Sequence, residues 1–163
     1  ESNNLIVTIH RTENIYNKKR LKSLVSLLIK LKKENLYSEI EWYCHDITIN
    51  ALERNNLIML LKSNDVHLKK LILHDDFINK IYSSKAVITD GGSIAEECSI
   101  MNLRTVLWRD VVENKEYLND NMLLSKYNHD EIVYFLNKVS NNNKISVDKI
   151  SPSQQFVEQL MSL

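Results

Sequence analysis

Gly91 and Gly92 are the only glycines in 163 residues, and they are adjacent. At the usual share of about 7%, a chain of this length carries roughly eleven. Every other turn must therefore be made without glycine, while one junction receives both. The segment around them reads AVITDGGSIAEEC over residues 86–98. A β-branched run ends at Asp90, the glycines turn the chain, and a helix follows. Ser93 is expected to cap that helix, with Glu96 three residues on completing a capping box. Glycine tolerates positive φ and lets a ligand approach the backbone. The N–H groups of Gly92, Ser93 and Ile94, with the positive end of the helix dipole, then form an anion site suited to a phosphate or pyrophosphate. The spacing is neither G-x-G-x-x-G nor G-x-x-x-x-G-K-[ST]. A tight strand-to-helix turn without a ligand is the competing reading. Glu97 points elsewhere than Glu96, towards ligand hydroxyls or simply into solvent at a dipole-favoured position.

The rest of the chain alternates β-rich runs with amphipathic windows. Residues 5–9 (LIVTI) read as a strand buried on both faces. A polar loop, 10–17, follows. Residues 18–34 read as a helix, with Leu21, Leu24, Val25, Leu28 and Leu31 on one face and lysines opposite. Strands are expected at 39–44, 68–73, 86–89, 104–108 and 122–124. Helices are expected at 51–61, 75–82, 93–101 and 130–139. A closing helix is expected after Ser151 and Pro152, running to about Met161. This alternation predicts a single α/β domain over 1–163, a Rossmann-like parallel sheet with helices on both faces. Ligands of such sheets bind beyond the carboxyl ends of the strands. His10-Arg11 and Asp90-Gly91-Gly92-Ser93 both fall there.

Composition narrows the function classes. Lys+Arg and Asp+Glu number 21 each, so the net charge is zero. That argues against a nucleic-acid partner, which selects a basic excess. No apolar run is long enough for a membrane helix. The two cysteines, Cys44 and Cys98, match no disulfide framework and no metal spacing, so a reducing, cytoplasmic setting is the default. The chain opens at Glu1 without a signal-peptide pattern and reads as a piece of a longer one. His45, His67, His74 and His129 have no ligand spacing, and neither a metal nor a cofactor is expected. His74-Asp75-Asp76 reads as a polar loop and helix cap, Trp42 and Trp108 as packing, Cys98 as a small buried hydrophobe, and Arg20 as able to reach the His10 loop.

Two segments together, VTIHRTEN (7–14) and TDGGSIAEE (89–97), resemble the C-terminal half of the non-hydrolysing UDP-N-acetylglucosamine 2-epimerase family. That family carries V-T-x-H-R-x-E-N after a strand and T-D-S-G-G-x-Q-E-E, or T-D-G-G-S-x-Q-E-E, at the same distance further on. Val7, Thr8, His10, Arg11, Glu13 and Asn14 match the first motif. Thr89, Asp90, Gly91, Gly92, Ser93, Glu96 and Glu97 match the second. His45 at the end of a strand, Phe77 after the third strand and Arg109 after RTVLW also fit. The resemblance covers most of residues 5–136.

The resemblance implies one half of a two-domain GT-B arrangement, the half that holds the UDP part of a UDP-sugar such as UDP-N-acetylglucosamine. It implies that Gly91, Gly92 and Ser93 donate N–H bonds to the diphosphate, that Glu97 takes the ribose hydroxyls and that Phe77 lines the uracil pocket. His10 would act near the diphosphate and reacting sugar, with His45, Arg109 and Arg11 in the substrate site. The implied chemistry inverts C2 by anti elimination of UDP to 2-acetamidoglucal and re-addition to the other face. The family's catalytic carboxylates lie in the missing N-terminal half, the implied partner of this chain, with a homodimer open for the full-length protein. The isolated domain should then bind UDP and catalyse nothing. The pattern departs from the family at Asn114, where T-E-R-P-E has arginine, and at Ala95, where it has glutamine. The glycine and proline expected around 102–105 are missing, and SPSQQFVEQL replaces the G-x-G-x-A opening of the last helix. A nucleotide-sugar-binding half of a GT-B glycosyltransferase and a non-catalytic binding domain stay open as alternatives.

Overall fold

Alternate residues of the central strands feed two separate cores. Leu5 and Val7 of β1 (Asn4–Thr8), Ile40 and Trp42 of β2 (Glu39–Cys44), and Ala86 and Ile88 of β4 (Ala86–Thr89) pack on one face. Ile6, Tyr43 and Val87, one step along the same strands, pack on the other. Side chains alternate across a pleat, so continuous apolar runs such as LIVT require cover on both sides. The computed structural model describes residues 3–112 and 118–138.

The remaining strands are β3 (Val66–Lys70), β5 (Thr105–Leu107) and β6 (Met122–Leu124). All pairings are parallel, in the order β3-β2-β1-β4-β5-β6. The order reverses between β1 and β4, and the crevice at that point is where such sheets bind ligands. The expected Rossmann-like parallel sheet with helices on both faces is thus the one observed.

The helices are α1 (Thr12–Ile15), α2 (Lys18–Lys33), α3 (Asp46–Arg54), α4 (Ile58–Lys62), α5 (His74–Ser83), α6 (Gly92–Ile100) and α7 (His129–Asn137). The α2 leucines lie in the first core, and Phe77, Ile81, Ala95 and Cys98 of α5 and α6 in the second. Trp42, Trp108 and Cys98 are fully buried, and both cysteines are free thiols. Among the described residues, no helix is long and apolar enough to cross a membrane.

Several boundaries differ from the sequence expectation, most of them by one or two residues. The polar loop at 10–17 contains the single turn α1. The helix expected at 51–61 begins earlier and breaks into α3 and α4, because Asn56 turns left-handed at φ 55. β3 pairs at Val66–Lys70 rather than 68–73, leaving Leu71, Ile72 and Leu73 exposed beyond the sheet. The helix after the glycines starts at Gly92. The closing helix expected after Pro152, and Asn114, lie outside the described residues.

At three helix ends the glycine shortage is met by asparagine, while Asp65, Lys126 and Tyr127 take the other left-handed positions among the described residues. Asn35, Asn56 and Asn102 follow α2, α3 and α6 with φ of 54, 55 and 54. In each case the next leucine donates its N–H five residues back: Leu36 to Leu31, Leu57 to Leu52 and Leu103 to Cys98. This is the Schellman turn, which glycine normally occupies and asparagine tolerates. The glycine missing from the 102–105 turn is therefore replaced in function by Asn102.

Candidate functional site

Asp90 is fully buried at the end of β4. Its carboxylate accepts the backbone N–H of His10 at 3.1 Å and of Arg11 at 2.9 Å, and the Asn14 side-chain amide at 2.8 Å. The Asn14 amide also donates to the Trp108 carbonyl, and Tyr127 Oη donates to Asn14 Oδ1. Thr48 Oγ1 donates to the Ile9 carbonyl just before His10. The loop after β1 is thus tied to the loop after β4. Nδ1 of His10 lies 3.5 Å from Asp90 Oδ1 but is not aligned as a hydrogen bond, and it is otherwise buried without a partner. The pair is an electrostatic contact.

The glycines act differently from the expectation. Neither has positive φ. Gly91 is the N-cap of α6 in an extended conformation, φ −81 and ψ 133, and no side chain caps the helix. Ser93 therefore sits inside the first turn, and the capping box does not form. Gly91 is required by close approach: a Cβ there would meet His10 Cε1 at 3.3 Å and Thr89 Oγ1 at 3.5 Å. Its own N–H donates to Thr89 Oγ1. A Cβ on Gly92 would meet nothing within 4 Å. Neither its φ nor its neighbours require glycine there, and glycine in a helix is costly. What the missing side chain leaves is open access to the backbone.

Asparagine side chains cap α2 and α7, from Asn17 and Asn128. No side chain caps α3, α5 or α6, which start at the carboxyl ends of β2, β3 and β4. These three starts border one cavity of about 200 Å³. It is lined by Thr8 and His10, by His45 before α3, by His74 and Phe77 of α5, by Ile94 of α6, and by Leu71 and Ile72. The rings of His10 and His45 are 5.0 Å apart. Phe77 stands edge-on to Tyr43 at 5.3 Å, which fixes its ring. Acidic residues occupy the first turns of α3 (Asp46) and α5 (Asp75, Asp76), but α6 has none. An anion is best placed at α6, where the dipole is uncompensated.

A second cavity of about 350 Å³ opens between α5 and α6, lined in part by His74, Asn79, Glu97 and Met101. His74 borders both. Glu97 Oε1 lies 3.0 Å from His74 Nε2, and Oε2 is buried without a hydrogen-bond partner. Burial raises the Glu97 carboxyl above the ordinary carboxylate range, against the lowering effect of His74.

Of the residues expected in the site, His10, His45, Phe77, Gly91, Gly92, Ser93 and Glu97 gather around this end of the sheet. Arg11 and Arg109 line neither cavity. Arg11 pairs with Glu13 at 3.1 Å. Arg109 is buried after β5, and its charge acts on Glu13 and Tyr127. Arg20 reaches the first loop as expected, donating to the Glu13 carbonyl, and its guanidinium lies 4.4 Å over the Tyr127 ring. Ala95 is fully buried against the sheet, so the glutamine of the family motif has no room in this packing. Among the described residues, no three metal-ligating side chains are arranged to hold an ion. Sequence reading assigns no role to Asp90, Asn14 or Tyr127; it takes His74-Asp75-Asp76 as a polar loop and helix cap, whereas these residues form the first turn of α5, whose N-cap is Leu73 with no side-chain cap. Asp90 and Asn14 were legible as members of the two motifs. Nothing in the sequence pairs His74 with Glu97.

A family model described as UDP-N-acetylglucosamine 2-epimerase matches residues 1–159. The UDP-N-acetylglucosamine 2-epimerase of Methanocaldococcus jannaschii is 29% identical over 113 residues, covering 68% of this chain and 30% of the relative. That of Methanococcus maripaludis is 29% identical over 143 residues, covering 85% and 38%. The solved M. jannaschii enzyme superposes with a TM-score of 0.86 at 22% identity, over 100% of this chain and 46% of the other. The same enzyme in complex with UDP-GlcNAc and UDP gives 0.80 at 25%, over 99% and 46%. The Neisseria meningitidis enzyme bound to UDP-GlcNAc gives 0.72 at 20%, over 99% and 45%. The chain spans less than half the length of each of these relatives.

Proposed function

The chain belongs to the UDP-N-acetylglucosamine 2-epimerase family, and on that premise we propose that it is the UDP-binding, C-terminal half of such an enzyme. The observation that carries this reading is the start of α6. It is free of a side-chain cap and of acidic residues, its Gly92 leaves the backbone open, and it borders the cavity at the point where strand order reverses.

In this reading the N–H groups of the first α6 turn hold the diphosphate. Phe77 forms an apolar wall for the uracil, and Glu97 accepts from the ribose. Such a site stabilises UDP as it departs, because preorganised N–H donors meet developing negative charge without reorganisation. Epimerisation then proceeds by loss of the C2 proton and cleavage of the C1–O bond, giving 2-acetamidoglucal and UDP. Re-addition of UDP to C1, with a proton delivered to the opposite face of C2, completes inversion. His10 stands beside the diphosphate position with Asp90 behind it, suited to proton handling near the leaving group. The carboxylates that work at C2 come from the other half of the GT-B arrangement.

Isothermal titration tests the reading. UDP and UDP-N-acetylglucosamine should bind this chain, and the chain alone should leave the sugar unchanged. Absence of binding at millimolar UDP overturns it.

A further inference from the structure

The cavity at the carboxyl ends of the strands has no permanent positive charge in its lining. It holds no lysine or arginine, and the only side chains there able to become cationic are His10, His45 and His74. His74 is committed to Glu97. His10 and His45 remain, their rings 5.0 Å apart, arriving from the loop after β1 and from the N-cap of α3. Nδ1 of His10 is buried with no hydrogen-bond partner, 3.5 Å from Oδ1 of Asp90, while the side chain as a whole is 35% exposed. A ligand therefore meets this ring through Nε2. A neutral imidazole carries a proton on one nitrogen only, whereas the imidazolium offers one towards Asp90 and one towards the cavity together. The other charged groups around the pair are acidic or turned away. Asp46 lies in the first turn of α3 and Asp75 and Asp76 in that of α5, α6 brings none in its first turn, and Arg11, on the same loop as His10, pairs with Glu13.

Resting on the UDP reading above, we propose that His10 and His45 form a proton-linked charge site: the positive charge that meets the diphosphate is taken up from solvent as the ligand binds, so affinity follows the negative charge of the ligand. An anion beside an imidazole favours its protonated form, and imidazole is the side chain that ordinarily titrates between about pH 5 and 8. UDP ends in a phosphate monoester, whose second ionisation at about pH 6 gives it a charge that UDP-N-acetylglucosamine, a diester at the same phosphate, cannot carry. The pair thus separates the cleaved nucleotide from the intact sugar nucleotide, tightening on UDP as cleavage of the C1–O bond releases it. A site built on lysine or arginine would hold both without taking up a proton.

Titration calorimetry in two buffers of different ionisation enthalpy counts the protons taken up, at about pH 7.5, where the phosphate of UDP is already ionised. UDP should bring in roughly half a proton or more, and UDP-N-acetylglucosamine clearly less. UDP affinity should fall about threefold between pH 7 and pH 8.5, for one imidazole whose proton affinity rises about tenfold on binding. His10→Asn and His45→Asn should each reduce the uptake and flatten that decline. No uptake by the wild type, or equal uptake with the two ligands, overturns the proposal. Uptake undiminished in either variant overturns it too, because the pair would not be the carrier. Should the variants fail to fold, proton NMR of the wild type decides. Of the five histidines, His10 and His45 should titrate at higher pH with UDP bound, while His67 on β3 and His129 against Ser23 stay as they were. Unmoved titrations of His10 and His45 overturn the proposal. Failure to bind UDP at any pH overturns the underlying reading instead, an outcome distinct from each of these.

Discussion

Asp90 and Asn14, 76 residues apart in sequence, share a buried hydrogen bond of 2.8 Å. Through it the loop after β4 holds the loop after β1. The carboxylate also takes the N–H groups of His10 and Arg11, so one side chain sets the path of the first motif. This is the physical reason that the two motifs occur together: each is the other's support at the point where strand order reverses. Asp90→Asn keeps the volume but turns an NH2 towards donors that need an acceptor. A cost of ~2–4 kcal/mol is expected from donors left unpaired in a buried site. Urea denaturation measures it, and a variant as stable as the wild type would contradict the clamp.

The two glycines should respond oppositely to alanine. Gly91→Ala brings a methyl to 3.3 Å from His10 Cε1, so the imidazole must shift. Gly92→Ala meets no atom within 4 Å and improves helix propensity. It should raise stability by ~0.5–1 kcal/mol while weakening UDP. Gly92→Val should abolish UDP binding. Thermal melts and UDP titrations on the three variants check this. Full UDP affinity in Gly92→Val would move the diphosphate away from α6.

His129 introduces a pH dependence away from the site. Its ring accepts or donates at 2.8 Å to Ser23, and burial, then Lys30, lowers its pKa below the ordinary 6.5. The unfolded chain therefore binds the proton more readily than the folded one below about pH 6.5. Stability is complete above that value and declines as pH falls towards the lowered folded value. His129→Gln should flatten this decline. Melting temperatures of both forms across that window provide the measurement, and parallel curves would count against it.

Asn102 should tolerate glycine but not alanine. Its φ of 54 lies in the left-handed region, where a Cβ costs ~1–2 kcal/mol unless the side chain compensates. Asn102 also accepts from Asn121 through its side-chain oxygen. Asn102→Ala should lose about that amount, and Asn102→Gly much less. Equal losses in the two variants would show that the Asn121 contact, not the backbone, sets the requirement.

Much was legible before folding was considered. LIVTI reads as a strand buried on both faces because a continuous apolar run leaves no face for water, and the sheet covers both; EIEWYC and AVIT read as strands beside it. The leucine spacing of 18–34 identifies α2 for the opposite reason, one apolar face backed by lysines that stay in water. The edge was harder: Leu71, Ile72 and Leu73 look like the end of β3, but pairing stops at Lys70. The break at Asn56 has no glycine to announce it, because asparagine itself takes the left-handed turn there.

The sequence by itself determined the α/β class, the two motifs and their position at strand ends, since periodicity and local order are written along the chain. The work of each glycine was decided only in three dimensions. Gly91 makes room for His10, which arrives from another strand, and Gly92 faces open space. The same holds for Asp90 under His10 and for His74 against Glu97. Those relations depend on which strand lies beside which, and distance across a sheet is set by packing rather than by order along the chain.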